Sequence, residues 1–186
     1  MGFHTFDVGR ADNLEDPERY QYLSLDELLA LFDPEADQTV ADLGSGTGFY
    51  TDDVAPHVGT LYAVDVQEAM HEYYREKGAP HNVTFVVADV EDLPFEDDEL
   101  DGAYSTMTYH EFASEAALAE LARTITPGGL LGVADWSASG AGEEGPPTDE
   151  RFSLATAMRQ LTDAGFTVEY GSERRETFVL RARRDT

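Results

Sequence analysis

Val40-Ala41-Asp42-Leu43-Gly44-Ser45-Gly46-Thr47-Gly48 reads as an apolar strand that breaks into a glycine turn. Three glycines in five residues ask for a backbone reason. Glycine tolerates positive φ and lets another group approach the main chain closely, so such a run directly after a strand points to a loop wrapped against a ligand. An ordinary flexible turn is the competing reading. The spacing narrows the choice of ligand. A dinucleotide fingerprint runs G-x-G-x-x-G, and here Phe49 stands where the third glycine would fall, which disfavours a nicotinamide site. Asp42 lies inside the strand end, where a carboxylate is costly to bury without a donor or a cation. A ligand ammonium would serve.

Outward from this turn, Leu61 to Val64 form a second strand that ends on Asp65-Val66, and Asp65 follows Gly48 by 17 residues. A carboxylate at that strand tip can reach the ribose hydroxyls of a nucleoside anchored on the loop. Val83 to Val87 read as a continuous apolar strand of the doubly covered kind, with Asp89 and Val90 just beyond it. Strand four, Gly102 to Ser105, opens into Thr106-Met107-Thr108-Tyr109-His110-Glu111-Phe112. Strand five, Leu130 to Ala134, follows a Pro127-Gly128-Gly129 turn and ends on Asp135-Trp136. Both openings fall at the carboxyl edge of the sheet, where ligands of open α/β sheets bind.

Helices fill the intervals. Ser24 and Glu27 form a capping box before Leu25, Leu28, Leu29 and Phe32, and Asp33-Pro34 stops that helix. Further helices start near Phe49, run from Gln67 to Lys77, carry Leu118, Leu121, Ala122 and Ile125, and carry Leu154, Met158 and Leu161. Phe166 to Tyr170 and Thr177 to Ala182 read as a terminal antiparallel pair.

Asp42-Leu43-Gly44-Ser45-Gly46-Thr47-Gly48 resembles the first motif of class I S-adenosylmethionine-dependent methyltransferases. Leu61 to Val66 with Met70, Asp89, and Glu120-Leu121-Ala122-Arg123 with Pro127-Gly128-Gly129 are similar to later motifs of that family, and Leu93-Pro94-Phe95 before Leu100 to Tyr104 resembles its ubiquinone- and menaquinone-biosynthesis branch. The resemblance runs from about Thr39 to Trp136. It implies a Rossmann-like α/β fold, a mainly parallel seven-stranded sheet in the order 3-2-1-4-5-7-6 with helices on both faces. It further implies S-adenosylmethionine as cofactor and S-adenosylhomocysteine as product. The cofactor would be held by Asp42, Gly44, Ser45, Gly46, Gly48, Asp65, Val66, Asp89, Val90 and Ser105. Asp89 would accept from the adenine amine, while the Val90 amide and Val66 approach the ring. A turn cap is the competing role for Asp89.

The chain has 186 residues, enough for one domain with a substantial core. Residues 1–35 form an N-terminal segment and helix over the pocket, 39–136 the cofactor-binding core, 137–149 a mobile loop rich in Gly, Ser, Glu and Pro, and 150–186 a closing helix and strand pair. There is no cysteine, which excludes disulfides and thiolate metal sites and removes thiol-dependent arsenic methylation as an analogy. The start lacks a secretory leader and no apolar run approaches a membrane span, so a cytoplasmic protein without membrane insertion is expected.

Thirty-eight acidic residues against twelve basic ones give a formal charge of −26, and Lys77 is the only lysine. Salt near 1 M shortens the Debye length to about 3 Å and quenches such self-repulsion, so the composition suits a halophile. No basic, aromatic-interleaved patch speaks for a nucleic-acid partner. A small-molecule acceptor is expected, and a homodimer is left open.

Methyl transfer from a sulfonium needs alignment and dryness more than catalytic side chains, and a base only where the acceptor must lose a proton. His110 is the natural base, with Glu111 as its orienting partner; packing or capping in a loop is the competing role. His110-Glu111 does not continue into H-E-x-x-H, because Ser114 occupies the last position, and no metal is expected. His4, Tyr50, Tyr109 and Trp136 are the candidates for the acceptor pocket, the aromatics through cation–π attraction of about 0.5–2 kcal/mol or simply as core. His57, His71 and His81 read as solvated, as do Asp52-Asp53 and Asp97-Asp98-Glu99. Two rivals share the sheet: a nicotinamide-dependent oxidoreductase, and an S-adenosylmethionine-binding protein without turnover.

Overall fold

A computed structural model describes residues 6–186. Seven strands form one sheet in the order β3-β2-β1-β4-β5-β7-β6. They are β1 (Thr39–Leu43), β2 (Thr60–Asp65), β3 (Val83–Val87), β4 (Leu100–Thr106), β5 (Ile125–Trp136), β6 (Phe166–Glu173) and β7 (Thr177–Arg184). The first five are parallel, while β7 runs antiparallel to both β5 and β6. The implied strand order is the one observed.

Helices α1 (Leu25–Phe32), α2 (Phe49–Val54) and α3 (Glu68–Lys77) lie on one face, and α4 (Tyr109–Phe112), α5 (Glu115–Thr124) and α6 (Leu154–Asp163) on the other. Alternation along the central strands divides the core accordingly. Ala41, Leu43, Ala103 and Leu131 meet Leu118, Leu121 and Leu161, while Val40, Tyr104 and Leu130 meet Leu28, Leu31 and Val54. Helix α1 starts where the capping box places it: Ser24 Oγ accepts from the Glu27 amide, and the Glu27 carboxylate accepts from the Ser24 amide. Asp33, at φ 46°, ends it. Among the described residues no helix is long and apolar enough to cross a membrane.

Four expectations need correcting. Strand β3 is an edge strand with Val87 48% exposed, because the strand order leaves its outer side uncovered. Strand β5 begins at Ile125, so Pro127-Gly128-Gly129 is carried within it, opposite a register shift between Leu100 and Gly102. His71 is fully buried rather than solvated, since it follows Met70 on the inward stripe of α3 and packs on Phe85. Asp52 and Asp53 are also engaged: Tyr74 and Tyr20 donate their hydroxyls to them at 2.5 Å, and Lys77 pairs with Asp52 at 2.9 Å.

The backbone of the stretch 137–149 is bonded by side chains from outside it. Arg151, itself buried, donates Nε to the Pro146 carbonyl at 2.7 Å and Nη2 to that of Glu144. The Glu176 carboxylate accepts the amides of Gly142 at 3.0 Å and Glu143 at 3.3 Å. The composition that suggested mobility is held by two residues outside it.

Candidate functional site

The carboxyl ends of β1, β2 and β4 meet at the glycine turn. Gly44, Gly46 and Gly48 have φ of 79°, 53° and 80°. At Gly48 the reason is internal, because a Cβ there would fall inside the Tyr74 ring of α3. At Gly46 it is not: a Cβ would meet only Leu14 of the N-terminal segment, at 3.5 Å, an ordinary van der Waals contact.

Two buried oxygens at this turn have no hydrogen-bond partner among the described residues, Asp42 Oδ1 and Ser45 Oγ. The other Asp42 oxygen accepts from Thr51 at 2.6 Å and from the Tyr104 hydroxyl at 3.0 Å. Burial pushes the Asp42 carboxyl up to about 7, with the Thr51 and Tyr104 hydrogen bonds opposing. An unpaired buried carboxylate oxygen is costly, and a ligand with a cationic donor at that point fits it.

Asp65 is nearly buried at the tip of β2 and accepts the Gly46 amide at 2.8 Å and the Gln67 amide at 2.9 Å. Its carboxylate is thereby fixed against the turn. Val66, next to it, is 47% exposed, an apolar surface open to a flat ligand. Asp89 is exposed and accepts the Glu91 amide at 3.0 Å, the turn-cap contact, through one of its two oxygens. The Val90 side chain belongs to the core. Ser105 is buried at the end of β4, its Oγ 3.2 Å from Thr108 Oγ1.

The segment before α1 lies across this turn as two short helical turns, Val8–Glu15 and Pro17–Gln21. Thr47 Oγ1 donates to Glu15 at 2.5 Å, Lys77 donates to Glu15 at 3.1 Å, and Tyr73 donates to Asp12 at 2.8 Å. His4 lies outside the described residues.

At the tips of β4 and β5 stands an arrangement that sequence alone misses. The His110 ring Nδ1 is 2.9 and 3.0 Å from the two carboxylate oxygens of Asp135, and the His110 amide donates to Asp135 Oδ2 at 2.7 Å. Asp135 is fully buried. Its carboxylate fixes the tautomer with the proton on Nδ1, leaving Nε2 free to accept. The partner expected in Glu111 is therefore Asp135; Glu111 Oε1 is 3.9 Å from Nε2, beyond a hydrogen bond.

Burial lowers the His110 pKa, but the hydrogen bond and charge of Asp135, with Glu111 beyond, outweigh it and raise the net value. Burial pushes Glu111 up to about 7; His110 opposes this, and the charges of Asp135 and Asp65 add to it. The available signal for Asp135 was a lone acid closing an apolar strand at the ligand edge.

Beside the turn is a cavity of about 240 Å³ lined by Phe6, Leu14, Tyr22, Tyr50, Met107 and Trp136 among others. Tyr50 and Trp136 are both in its wall. Tyr109 is not: it is fully buried against Phe112 and Phe152, with its hydroxyl on Gln160 at 3.3 Å. Two cations that sequence reasoning passed over, Arg10 and Arg19, also line the cavity. A larger hollow of about 350 Å³ lies at the opposite edge of the sheet, at Gln38, Asp101 and Gly128, away from all these groups.

Residues 41–133 match a family model described as a methyltransferase domain. A demethylmenaquinone methyltransferase of Corynebacterium kroppenstedtii is 33% identical over 106 residues, 56% of this chain and 44% of that protein. The bifunctional biotin-biosynthesis protein BioHC of Cellvibrio japonicus is 33% identical over 105 residues, 55% of this chain and 21% of that one. The chain thus spans less than half the length of these curated relatives. Among solved structures, a SAM-dependent methyltransferase from Aquifex aeolicus superposes with a TM-score of 0.87 at 31% identity, covering 96% of this chain and 99% of that one. The protein seen in complex with the Trm112 methyltransferase activator of Haloferax volcanii has a TM-score of 0.80 at 21% identity over 98% of this chain and all of its own, a likeness of fold.

Proposed function

This chain belongs to the class I S-adenosylmethionine-dependent methyltransferase family, and from that premise we propose that it methylates a small-molecule acceptor held in the cavity beside the glycine turn. The observation that carries the reading is the pair of buried oxygens on Asp42 and Ser45 that have no partner among the described residues, at a turn whose central glycine is approached only by Leu14. When bound, S-adenosylmethionine supplies an electrophilic methyl group on sulfur. The residues of the chain bind, align and keep water out, which is worth roughly 7–11 kcal/mol of barrier when the geometry is right.

Asp42 Oδ1 takes the ammonium of the amino-acid tail, and the Gly44, Ser45, Gly46 and Gly48 backbone follows the ligand. Asp65 takes the ribose hydroxyls with lone pairs not used by Gly46 and Gln67. Val66 covers one adenine face; the free oxygen of Asp89 and the Val90 amide read the adenine edge. Ser105 supports the turn through Thr108. His110, which stands outside the lining of the cavity at the tips of β4 and β5, is the base through Nε2, held by Asp135, for an acceptor whose reacting group reaches out of the cavity toward it. Leu14 lies over Gly46, so the segment from Val8 to Gln21 covers the cofactor and has to yield for it to enter. A volume of about 240 Å³, at the small end of ligand cavities, suits a compact acceptor.

Thermal melting with S-adenosylhomocysteine and NADH in parallel tests the reading. Only S-adenosylhomocysteine is expected to raise the midpoint; a rise with NADH alone overturns it. Asp65→Ala is expected to weaken S-adenosylhomocysteine by about 1.5–3 kcal/mol, as for loss of a charged hydrogen-bond acceptor. Unchanged affinity in calorimetry rejects the ribose assignment.

The acids at the site also set a pH dependence. Asp42 and Glu111 are raised to about 7 in the folded protein. Each therefore contributes stability that is fully present below its ordinary carboxylate pKa and is lost as pH rises through about 7. A cation at Asp42 relieves its share. The midpoint gain from S-adenosylhomocysteine is accordingly expected to grow from pH 5.5 to 8, and Asp42→Asn to flatten that slope. An equal slope in the variant removes Asp42 from the ammonium site.

A further inference from the structure

The charge bookkeeping of the surface singles out one place. All twelve Lys and Arg lie in the described part of the chain, and nine have a carboxylate within 4.0 Å. In a chain of net charge −26 an arginine without an acid is the exception. Arg10, Arg19 and Arg159 are the exceptions among the described residues, and the first two line the same cavity.

Arg19 is the more constrained of the two. Its guanidinium carbon lies 4.8 Å from the Phe49 ring centre and 5.1 Å from that of Tyr50, and Nη1 donates to the Leu14 carbonyl at 2.6 Å. The remaining N–H donors of the fork have no acceptor among the described residues, and burial lowers the Arg19 pKa. A guanidinium held against two rings, short of acceptors, is preorganised for a planar anion. Arg10 stands over Phe6 at 5.9 Å and adds a second charge.

Apart from Asn13 and Glu144, the rest of the wall is mainly apolar and aromatic. Tyr22 and Trp136 lie 4.9 Å apart, and Met107 adjoins them. The one acid there, Glu144, is exposed and makes no contact with either arginine within 4.0 Å. None of the turn glycines, nor Asp42, Asp65 or Asp89, lines the cavity, although the Glu15 and Asp42 charges both act on Arg19.

We propose that the methyl acceptor carries a carboxylate on a compact apolar or aromatic body, the carboxylate gripped by Arg19 and Arg10 and the body lying against Tyr22 and Trp136. The inference rests on the methyltransferase reading and adds the charge and shape of its substrate.

Calorimetric titration of the S-adenosylhomocysteine-saturated protein with benzoate, cinnamate and indole-3-acetate, each beside its primary amide, tests it. At least one acid is expected to bind saturably and about tenfold or more tighter than its amide. Arg19→Gln and Arg10→Gln are each expected to weaken that acid by a similar factor, with S-adenosylhomocysteine affinity within about twofold, which also certifies the fold. The proposal is overturned if no acid binds, if acids and amides bind alike, or if the variants bind the acid as before. It is equally overturned if Arg19→Gln weakens S-adenosylhomocysteine but not 5′-methylthioadenosine, since the guanidinium then holds the cofactor's own carboxylate. Failure of the unaltered protein to bind S-adenosylhomocysteine at all would instead remove the methyltransferase reading beneath it.

Discussion

His110→Ala lowers methyl transfer by about 10²–10⁴-fold, the usual worth of a positioned general base, and leaves S-adenosylhomocysteine affinity unchanged. The expectation follows from the contacts of the ring: Nδ1 is committed to Asp135 at 2.9 and 3.0 Å, so only Nε2 can accept a proton. The net pKa of His110 lies above its ordinary value, chiefly because the hydrogen bond and charge of Asp135 overcome burial. The basic form is therefore depleted as pH falls through that raised value, and kcat/KM should show an acidic limb there. Asp135→Asn keeps the shape and removes the charge. It is expected to lower kcat and to move the acidic limb to lower pH, a change that a merely structural role for Asp135 would not produce. Turnover of His110→Ala within about twofold of the unaltered enzyme would make alignment alone sufficient and remove the base from the proposed chemistry.

Why the chain yields His110 but not Asp135 is a matter of helical geometry and strand register. Neighbours in sequence on a helix do not face each other, so Glu111, chosen as the adjacent acid, turns away from Nδ1. Asp135 reaches the ring because β4 and β5 pair Thr106 with Ala134, which sets Asp135 near the end of β5 beside the residues that follow β4. That register is a property of the folded sheet. The same limit applies to Tyr109, whose place in the opening after β4 suggested the pocket and whose helical phase sends it into the core with Phe112.

His71 was readable in principle, because Met70, His71 and Tyr74 share the inward stripe of α3. The glycine turn, the capping box at Ser24 and the strand tips at Asp42 and Asp65 were legible because each is a local requirement of backbone or burial. Arg19 was not, since its meaning comes from having no carboxylate within 4.0 Å although Glu15 and Asp42 are near, and a distance in space leaves no mark on spacing.

Arg151→Met should cost about 3–5 kcal/mol of stability, the effect of stripping one partner from a buried ion pair. In a domain of this size that corresponds to a midpoint lower by about 6–20 °C. The Arg151 side chain is 1% exposed and that of Glu176 6%, with 3.5 Å between them. Arg151 also donates to the carbonyls of Pro146 and Ser137 at 2.7 and 3.4 Å and lies 5.5 Å from the Trp136 ring centre. Methionine fills much of the volume and supplies none of the donors, so several carbonyls and the Glu176 carboxylate lose a partner together. Glu176→Gln should cost less, because its side-chain oxygen can still accept one of the Gly142 and Glu143 amides.

The consequence reaches the cavity. Gly145 packs on Trp136 so closely that a Cβ would overlap the indole, and the carbonyl that holds the neighbouring Glu144 in place is bonded to Arg151. Loss of the guanidinium should free this wall, so the variant is expected to weaken the carboxylate probe while keeping S-adenosylhomocysteine, whose proposed contacts lie on the glycine turn. A stability loss below about 1 kcal/mol would mean that Arg151 is solvated in solution, like an ordinary surface pair, and that the stretch 137–149 is as mobile as its composition suggests.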